Sequence, residues 1–220
     1  MAGKRDRLYW ALKAAAAGNV LDSAVSSDYD IEKCVETELR KPFAFCDIEL
    51  FKRDMGTAKS ILIIGDNAGE TVFDRVLIEE FPHLSLTYAV RSAPIINDAT
   101  LEDAKASGLC KNGRIISTGC DAPGVLLNEC SKAFLDIFYS ADIVISKGRG
   151  NHETLSDCDR DIYFLLKAKC PVLAGLLGVG LNEYVFKFYG YDDSKGNELL
   201  SEAGYRDEVI LWQDRQNGVR

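Results

Sequence analysis

Ile61-Leu62-Ile63-Ile64-Gly65-Asp66-Asn67-Ala68-Gly69-Glu70 is the stretch whose reading decides the fold. Four consecutive β-branched or leucine side chains read as a strand covered on both faces, the type found in parallel sheets. The run stops at a carboxylate and a carboxamide. In open α/β sheets ligands gather outside the carboxyl ends of strands, so Asp66 and Asn67 would present two hard oxygens there, a donor type suited to Mg²⁺ or Mn²⁺. The same residues are also ordinary turn and helix-cap chemistry, since both side chains accept backbone N–H bonds. Three further segments bear on the choice.

Leu84 to Thr100 reads as strand, polar turn and helix. Leu86, Tyr88 and Val90 alternate, Arg91 closes the strand, and Pro94 keeps its predecessor out of helical geometry. Asn97-Asp98 then precedes a helix from Leu101, so Asp98 is either an N-cap or a third oxygen ligand on the face that holds Asp66. Ile115 and Ile116 lead into Ser117-Thr118-Gly119-Cys120-Asp121, where backbone N–H groups near Gly119 can turn toward an anion as in a nest, or merely connect. Ile143-Val144-Ile145-Ser146-Lys147-Gly148 is a further strand ending in a lysine beside glycine, which suits a phosphate oxygen or solvent.

Taken together, strands alternate with helices from Lys59 to Leu177, which predicts a doubly wound, mostly parallel sheet in a three-layer α/β/α sandwich. The site is expected at one edge of that sheet. Metal, lysine and anion-binding amides are the means of phosphoryl transfer to water. Helices are expected at Glu70–Phe81, Leu101–Ser107, Leu127–Phe138 and Asp161–Ala168, and a strand at Pro171–Ala174. Before the core, residues 1–56 read as a small helical segment, with helices ending at Gly18-Asn19 and spanning Ile31–Leu39 and Ile48–Met55. Residues 57–190 form the expected α/β core and 191–220 a polar tail.

The chain of 220 residues is 47% hydrophobic with a net charge of −8. That acidity argues against nucleic acid as a partner. Its apolar runs are strand-length and its start lacks a signal-peptide core, so no membrane span is expected and a cytoplasmic protein is inferred. Seven cysteines with no Cys-x-x-Cys spacing read as reduced thiols, and Cys120 has no adjacent base to make it a nucleophile. Oligomeric state is not legible.

Asp66-Asn67-Ala68-Gly69-Glu70, Arg91-Ser92-Ala93-Pro94-Ile95-Ile96-Asn97-Asp98-Ala99-Thr100 and Lys147-Gly148-Arg149-Gly150-Asn151 resemble, in order and spacing, the DUF89 family of metal-dependent phosphatases, also called damage-control phosphatases. Ala16 to Asp22 and Gly178 to Lys187 look like further segments of that family. The resemblance implies that Asp66, Asn67 and Asp98 ligate a divalent metal and that Lys147 serves a phosphate site, with Arg91, Gly148 and Asn151 in the matching motifs. It implies hydrolysis of small phosphorylated metabolites such as sugar phosphates. Asn19, Asp22, Glu70 and Asn97 are expected around the ligand set, the first two also reading as a C-cap and turn and Glu70 as a helix-start carboxylate. Mg²⁺, Mn²⁺, Co²⁺ and Ni²⁺ all remain open, as does attack by water or by Asp66 itself. Relatives carry more helical chain before Gly18, so a shortened amino-terminal bundle is expected. The alternative is a non-catalytic α/β module that holds a phosphorylated metabolite or nucleotide. A haloacid-dehalogenase-type enzyme is excluded, because no Asp-x-Asp pair follows an apolar strand.

Overall fold

The computed structural model describes residues 6–18 and 31–190. Helices α1 (Arg7–Ala17) and α2 (Ile31–Arg40) lead into strand β1 (Phe43–Cys46) and helix α3 (Ile48–Met55). The core then runs β2 (Ser60–Ile64), α4 (Thr71–Ile78), β3 (Ser85–Val90), α5 (Leu101–Ala106), β4 (Arg114–Ser117), α6 (Lys132–Ser140), β5 (Ile143–Lys147), α7 (Arg149–Leu155), β6 (Ile162–Lys167), α8 (Pro171–Leu177) and β7 (Tyr184–Tyr189). Seven strands form one sheet in the order β1-β7-β6-β5-β2-β3-β4. All neighbours are parallel except β6 and β7.

β2 sits inside the sheet because its side chains are apolar on both faces, and each face is covered. Ile61 and Ile63 pack with α1, α3 and α4 through Leu12, Phe51 and Leu77. Leu62 and Ile64 pack on the other face with α6 and α8 through Phe134, Phe138 and Leu173. The expected three-layer sandwich is therefore the observed one. Chain order reverses between β2 and β5, since β3 and β4 lie to one side of β2 and β5 and β6 to the other. This switch point opens a crevice at the carboxyl ends of two central strands.

Three expectations need correction. The described residues before 57 hold the expected helices but also an unexpected strand: β1 joins the sheet beside β7, and α1 and α3 bury Leu8, Leu12, Ile48 and Phe51 in the common core. Asp161–Ala168 is not a helix, because Ile162, Tyr163, Phe164, Leu165 and Leu166 are buried on both faces of β6. Pro171–Ala174 is not a strand but the start of α8, where proline suits the first turn and Cys170 Sγ accepts from the Leu173 amide at 3.4 Å. The expected helices at Glu70 and Leu127 begin as short 3₁₀ turns, Ala68–Glu70 and Leu127–Glu129. The polar tail from residue 191 lies outside the described residues.

One residue of α1 went unnoticed in the sequence. The Lys13 side chain is 0% exposed, its Nζ lies 3.3 Å from the centre of the Tyr184 ring, and it has no hydrogen-bond partner. Burial lowers its pKa to about 7, against the opposing charge of Glu38. Between that value and the 10.5 of the unfolded chain, the unfolded state holds the proton more tightly. Stability therefore rises with pH across this window and falls as pH drops toward 7. Lys13→Met is expected to stabilise the fold by about 1–3 kcal/mol at pH 7 and by less near pH 10. Urea unfolding of both proteins at the two pH values checks this.

Candidate functional site

The amino acids after β2 and β3 are sewn together by backbone bonds. Asn67 and Asp98 form an isolated antiparallel bridge. The Ala99 amide donates to the Asp66 carbonyl at 2.7 Å, and the Ala68 amide to the Asn97 carbonyl at 2.8 Å. Two βα junctions distant in sequence are thereby held side by side. The helix that follows Asp98 is capped by Thr100, in a reciprocal capping box with Asp103, so Asp98 is not its cap. Asn67 precedes the 3₁₀ turn without capping it through its side chain. The cap explanation open in the sequence thus fails for both residues.

Around these residues lies a charged cluster. Arg91, 2% exposed, donates through Nε to Asp98 Oδ2 at 2.7 Å and through Nη2 to Asn151 Oδ1 at 2.7 Å, while its Nη1 is buried without a partner. Asn151 is buried at the foot of α7, and its amide donates to the carbonyls of Gly65 and Lys147. It ties the ends of β2 and β5 to Arg91. The Asn67 amide donates to Asp66 Oδ2 at 3.1 Å and Glu70 Oε1 at 2.9 Å. Lys147, 1% exposed, donates to Glu70 Oε2 at 2.5 Å and Asp74 Oδ1 at 2.6 Å. Asp74 in turn accepts from the Tyr88 hydroxyl at 2.5 Å.

Electrostatics follow from that inventory. Burial raises the Asp66 carboxyl well above its ordinary range, and the charges of Glu70 and Asp98 push the same way against Lys147 and Arg91. Burial also raises Asp98, opposed by Arg91. Lys147 is held above its ordinary value because Asp74 and Glu70 outweigh the desolvation of its ammonium. Four carboxyl groups, Asp66, Glu70, Asp74 and Asp98, crowd around two cations, Lys147 and Arg91, and burial raises Asp66, Asp74 and Asp98 toward their neutral forms. A hard divalent cation matches that crowding of carboxyls and that oxygen-only donor set. Among the described residues no three His, Cys, Asp or Glu side chains form a ready-made cage. An ion here would rest on Asp66, Asn67 and Asp98 with water completing its shell, the habit of Mg²⁺.

A pocket of about 180 Å³ is lined by Asp66, Asn67, Glu70, Gly148 and Gly150, while Asp98 lies behind it with Arg91. Gly148 adopts φ +80°, and a Cβ there would stand 2.1 Å from the Asp66 carboxylate, so only glycine lets the loop close on Asp66. Its amide is taken by the Leu165 carbonyl at 3.2 Å.

Not every expected residue gathers at the pocket. Gly119 lies elsewhere, packed against Ser131, and its amide donates to Ser117 Oγ at 3.1 Å. Asn151 and Arg91 stand behind the pocket rather than on its wall. Lys147 reaches the pocket floor but is engaged by two carboxylates, in place of the solvent-facing phosphate ligand expected from its loop. The Asn97 side chain is exposed, and only its carbonyl joins the backbone bridge. Asn19 and Asp22 lie outside the described residues. Three cations on the pocket wall, Arg149, Lys167 and Lys169, were not foreseen. Reading Asp161–Ala168 as a helix had hidden the strand end that places Lys167.

A doubly wound sheet with a charged pocket at its switch point, lined by carboxylates and cations, defines an α/β/α protein of the ligand-binding kind. Residues 2–185 match the model of the damage-control phosphatase ARMT1-like domain, and the chain belongs to that family. It is 45% identical over 174 residues to a damage-control phosphatase of Pyrococcus horikoshii, covering 77% of this chain and 61% of that protein. It is 41% identical over 189 residues to an uncharacterised protein of Methanocaldococcus jannaschii, covering 82% and 62%. A damage-control phosphatase of Archaeoglobus fulgidus is 31% identical over 193 residues, covering 84% and 66%. The crystal structure of a DUF89 family protein from Pyrococcus horikoshii superposes with a TM-score of 0.77 at 41% identity, covering 85% of this chain and 67% of that one. The chain spans a little under two thirds of the length of the curated relatives it matches.

Proposed function

We propose that the protein is a divalent-metal-dependent phosphatase acting on small phosphorylated metabolites. The observation that carries this reading is the pairing of the Asp66 and Asp98 junctions into one cluster of crowded carboxyl groups. The names of the relatives support the activity, and the oxygen donors support the metal. In this reading Asp66, Asn67 and Asp98 hold one divalent cation, Mg²⁺ or Mn²⁺ by donor type. Such an ion supplies Lewis-acid charge at the phosphoryl group.

The rest of the chemistry belongs to the chain. Asn67 is oriented by Glu70, and Glu70 is ion-paired to Lys147, so the Glu70–Lys147–Asp74 chain positions the ligand set. Arg91 fixes Asp98 through Nε and Asn151 through Nη2, behind the pocket. Gly148 shuts the space beside Asp66, which limits water there to the pocket side. No helix among the described residues is long and apolar enough to cross a membrane. That agrees with a metabolite as the partner.

The test is hydrolysis of p-nitrophenyl phosphate and of small sugar phosphates, with Mn²⁺ or Mg²⁺ and after exhaustive EDTA treatment. Turnover that vanishes with chelation and returns with Mn²⁺ is the expected result. Phosphate-ester binding without turnover would move the protein to the non-catalytic class, and full activity in EDTA would contradict the metal.

A further inference from the structure

Cys120 reads from the sequence as a lone thiol, yet the fold gives it a partner. The segment 118–131 leaves the end of β4 and returns to the same point, where the Thr118 carbonyl accepts from the Ser131 amide at 2.8 Å. The Thr118 amide donates to the Val90 carbonyl and the Ser92 amide to the Cys120 carbonyl, so the base of the loop is pinned to β3. Cys120 and Cys130 stand just inside that base, one on each arm. Cys120 is 1% exposed and packs with Ala122 and Leu126, and the partly exposed Cys130 packs against the same cluster.

Both are free thiols, and their sulfurs point into one space. Cys120 Sγ lies 3.7 Å from the Gly124 carbonyl and 3.9 Å from Glu129 Oε2, while Cys130 Sγ donates to the Leu126 carbonyl at 3.3 Å. A hydrogen bond from Cys130 to the Cys120 sulfur lowers the Cys120 thiol to about 6, against burial and the charge of Glu129. The same bond and burial raise Cys130, which keeps its proton. Among the described residues the pair has no third ligand that would make it a metal clasp, and no cysteine lines the pocket at Asp66. Neither the proposed hydrolysis nor a metal therefore uses these two sulfurs.

We propose that Cys120 and Cys130 form a dithiol redox site whose co-reactant is a low-molecular-weight disulfide such as oxidised glutathione. Reaction starts at Cys130, the sulfur that solvent reaches. Its proton passes along the shared bond to Cys120, and the Cys130 thiolate attacks the small disulfide, forming a mixed disulfide and releasing one thiolate. That thiolate takes the proton from Cys120, whose sulfur then attacks Cys130 Sγ and expels the second small thiolate. Two protein sulfurs are oxidised by two electrons, and the small disulfide is reduced to one thiol and one thiolate. The new bond closes a ring over residues 120–130. That ring leans on the pocket wall, because Pro123 and Gly124 pack so tightly on Gly150 that a Cβ on Gly124 would stand 2.6 Å from the Gly150 carbonyl.

The experiment incubates the folded full chain with oxidised glutathione, quenches with acid, and maps the peptides by mass spectrometry without reduction. A Cys120–Cys130 cross-linked peptide, lighter by two hydrogens, is expected, while the exposed Cys110 stops at the mixed disulfide. Cys120→Ser is expected to leave glutathione on Cys130, and Cys130→Ser to slow modification of Cys120 by about tenfold or more, because the remaining thiol is buried. The oxidised chain should melt about 5–10 °C above the reduced one, and dithiothreitol should reverse the rise. Thiols of the folded wild type left unmodified or stopped at mixed disulfides, or a cross-link that forms only in urea, would overturn the assignment. An oxidised chain that melts below the reduced one overturns it as well, since the native loop then does not hold the two sulfurs in bonding position.

Discussion

Asp66→Asn is expected to lower kcat/KM for metal-dependent phosphate-ester hydrolysis by about a thousandfold, while the metal-free protein melts at the same or a higher temperature than the wild type. Both halves follow from one fact. Asp66 is pressed among like charges, with Glu70 and Asp98 and burial all disfavouring its ionised form, and Gly148 closing over it. In the absence of a cation that arrangement is repulsive, so neutralising the side chain without changing its shape relieves it. In the proposed reading, a bound cation makes Asp66 the site's main ligand. Steady-state kinetics with Mn²⁺ and a thermal melt in EDTA read the two effects separately. Activity within tenfold of wild type, or a large drop in metal-free melting temperature, would show that Asp66 serves the fold and not the ligand.

The second large effect is at Lys147, and its direction is opposite in kind. Lys147→Met removes the cation that bonds both Glu70 and Asp74, which are nearly or wholly buried. Breaking a buried ion pair from one side strands the remaining charges and costs about 3–5 kcal/mol. For a chain of this size that corresponds to a drop of roughly 6–20 °C in melting temperature. Adding Glu70→Gln and Asp74→Asn to the variant is expected to restore much of the loss, because the stranded carboxylates are then gone. If Lys147 were a solvent-reaching phosphate ligand, the melting temperature would hold and only KM would change.

How far the sequence carried these conclusions depended on which physical signal was local. The β2 run and its terminal Asp66-Asn67 were legible because an apolar strand covered on both faces and a strand-end carboxylate need no partner to be recognised. Asp98 was ambiguous for a local reason also: deciding cap from ligand requires knowing that Thr100 and Asp103 close the capping box. Ile162 to Leu166 was misread since a short apolar run fits helix and strand alike, and its strand identity comes from pairing with β5 and β7. Pro171 was then read as a strand residue instead of the first turn of α8. β1 owes its place to the sheet edge at β7, a contact about 140 residues away in sequence that no local pattern announces. Lys147 illustrates the limit for sites. Its position at a strand end was correct, yet its two carboxylate partners come from the turn and helix after β2, so its charge faces inward. Lys13 and the cations of the pocket wall carried no local signal at all, since burial and pocket lining arise only when α1, β6 and β7 meet.

The most direct test of the convergence of Asp66, Asn67 and Asp98 is an anomalous difference map from a crystal of this chain soaked in Mn²⁺. One strong peak is expected, within about 2.0–2.4 Å of oxygens from all three side chains. A peak bound by other residues, or an occupied pocket in which Asp98 stays paired with Arg91 and turned from the ion, would contradict it.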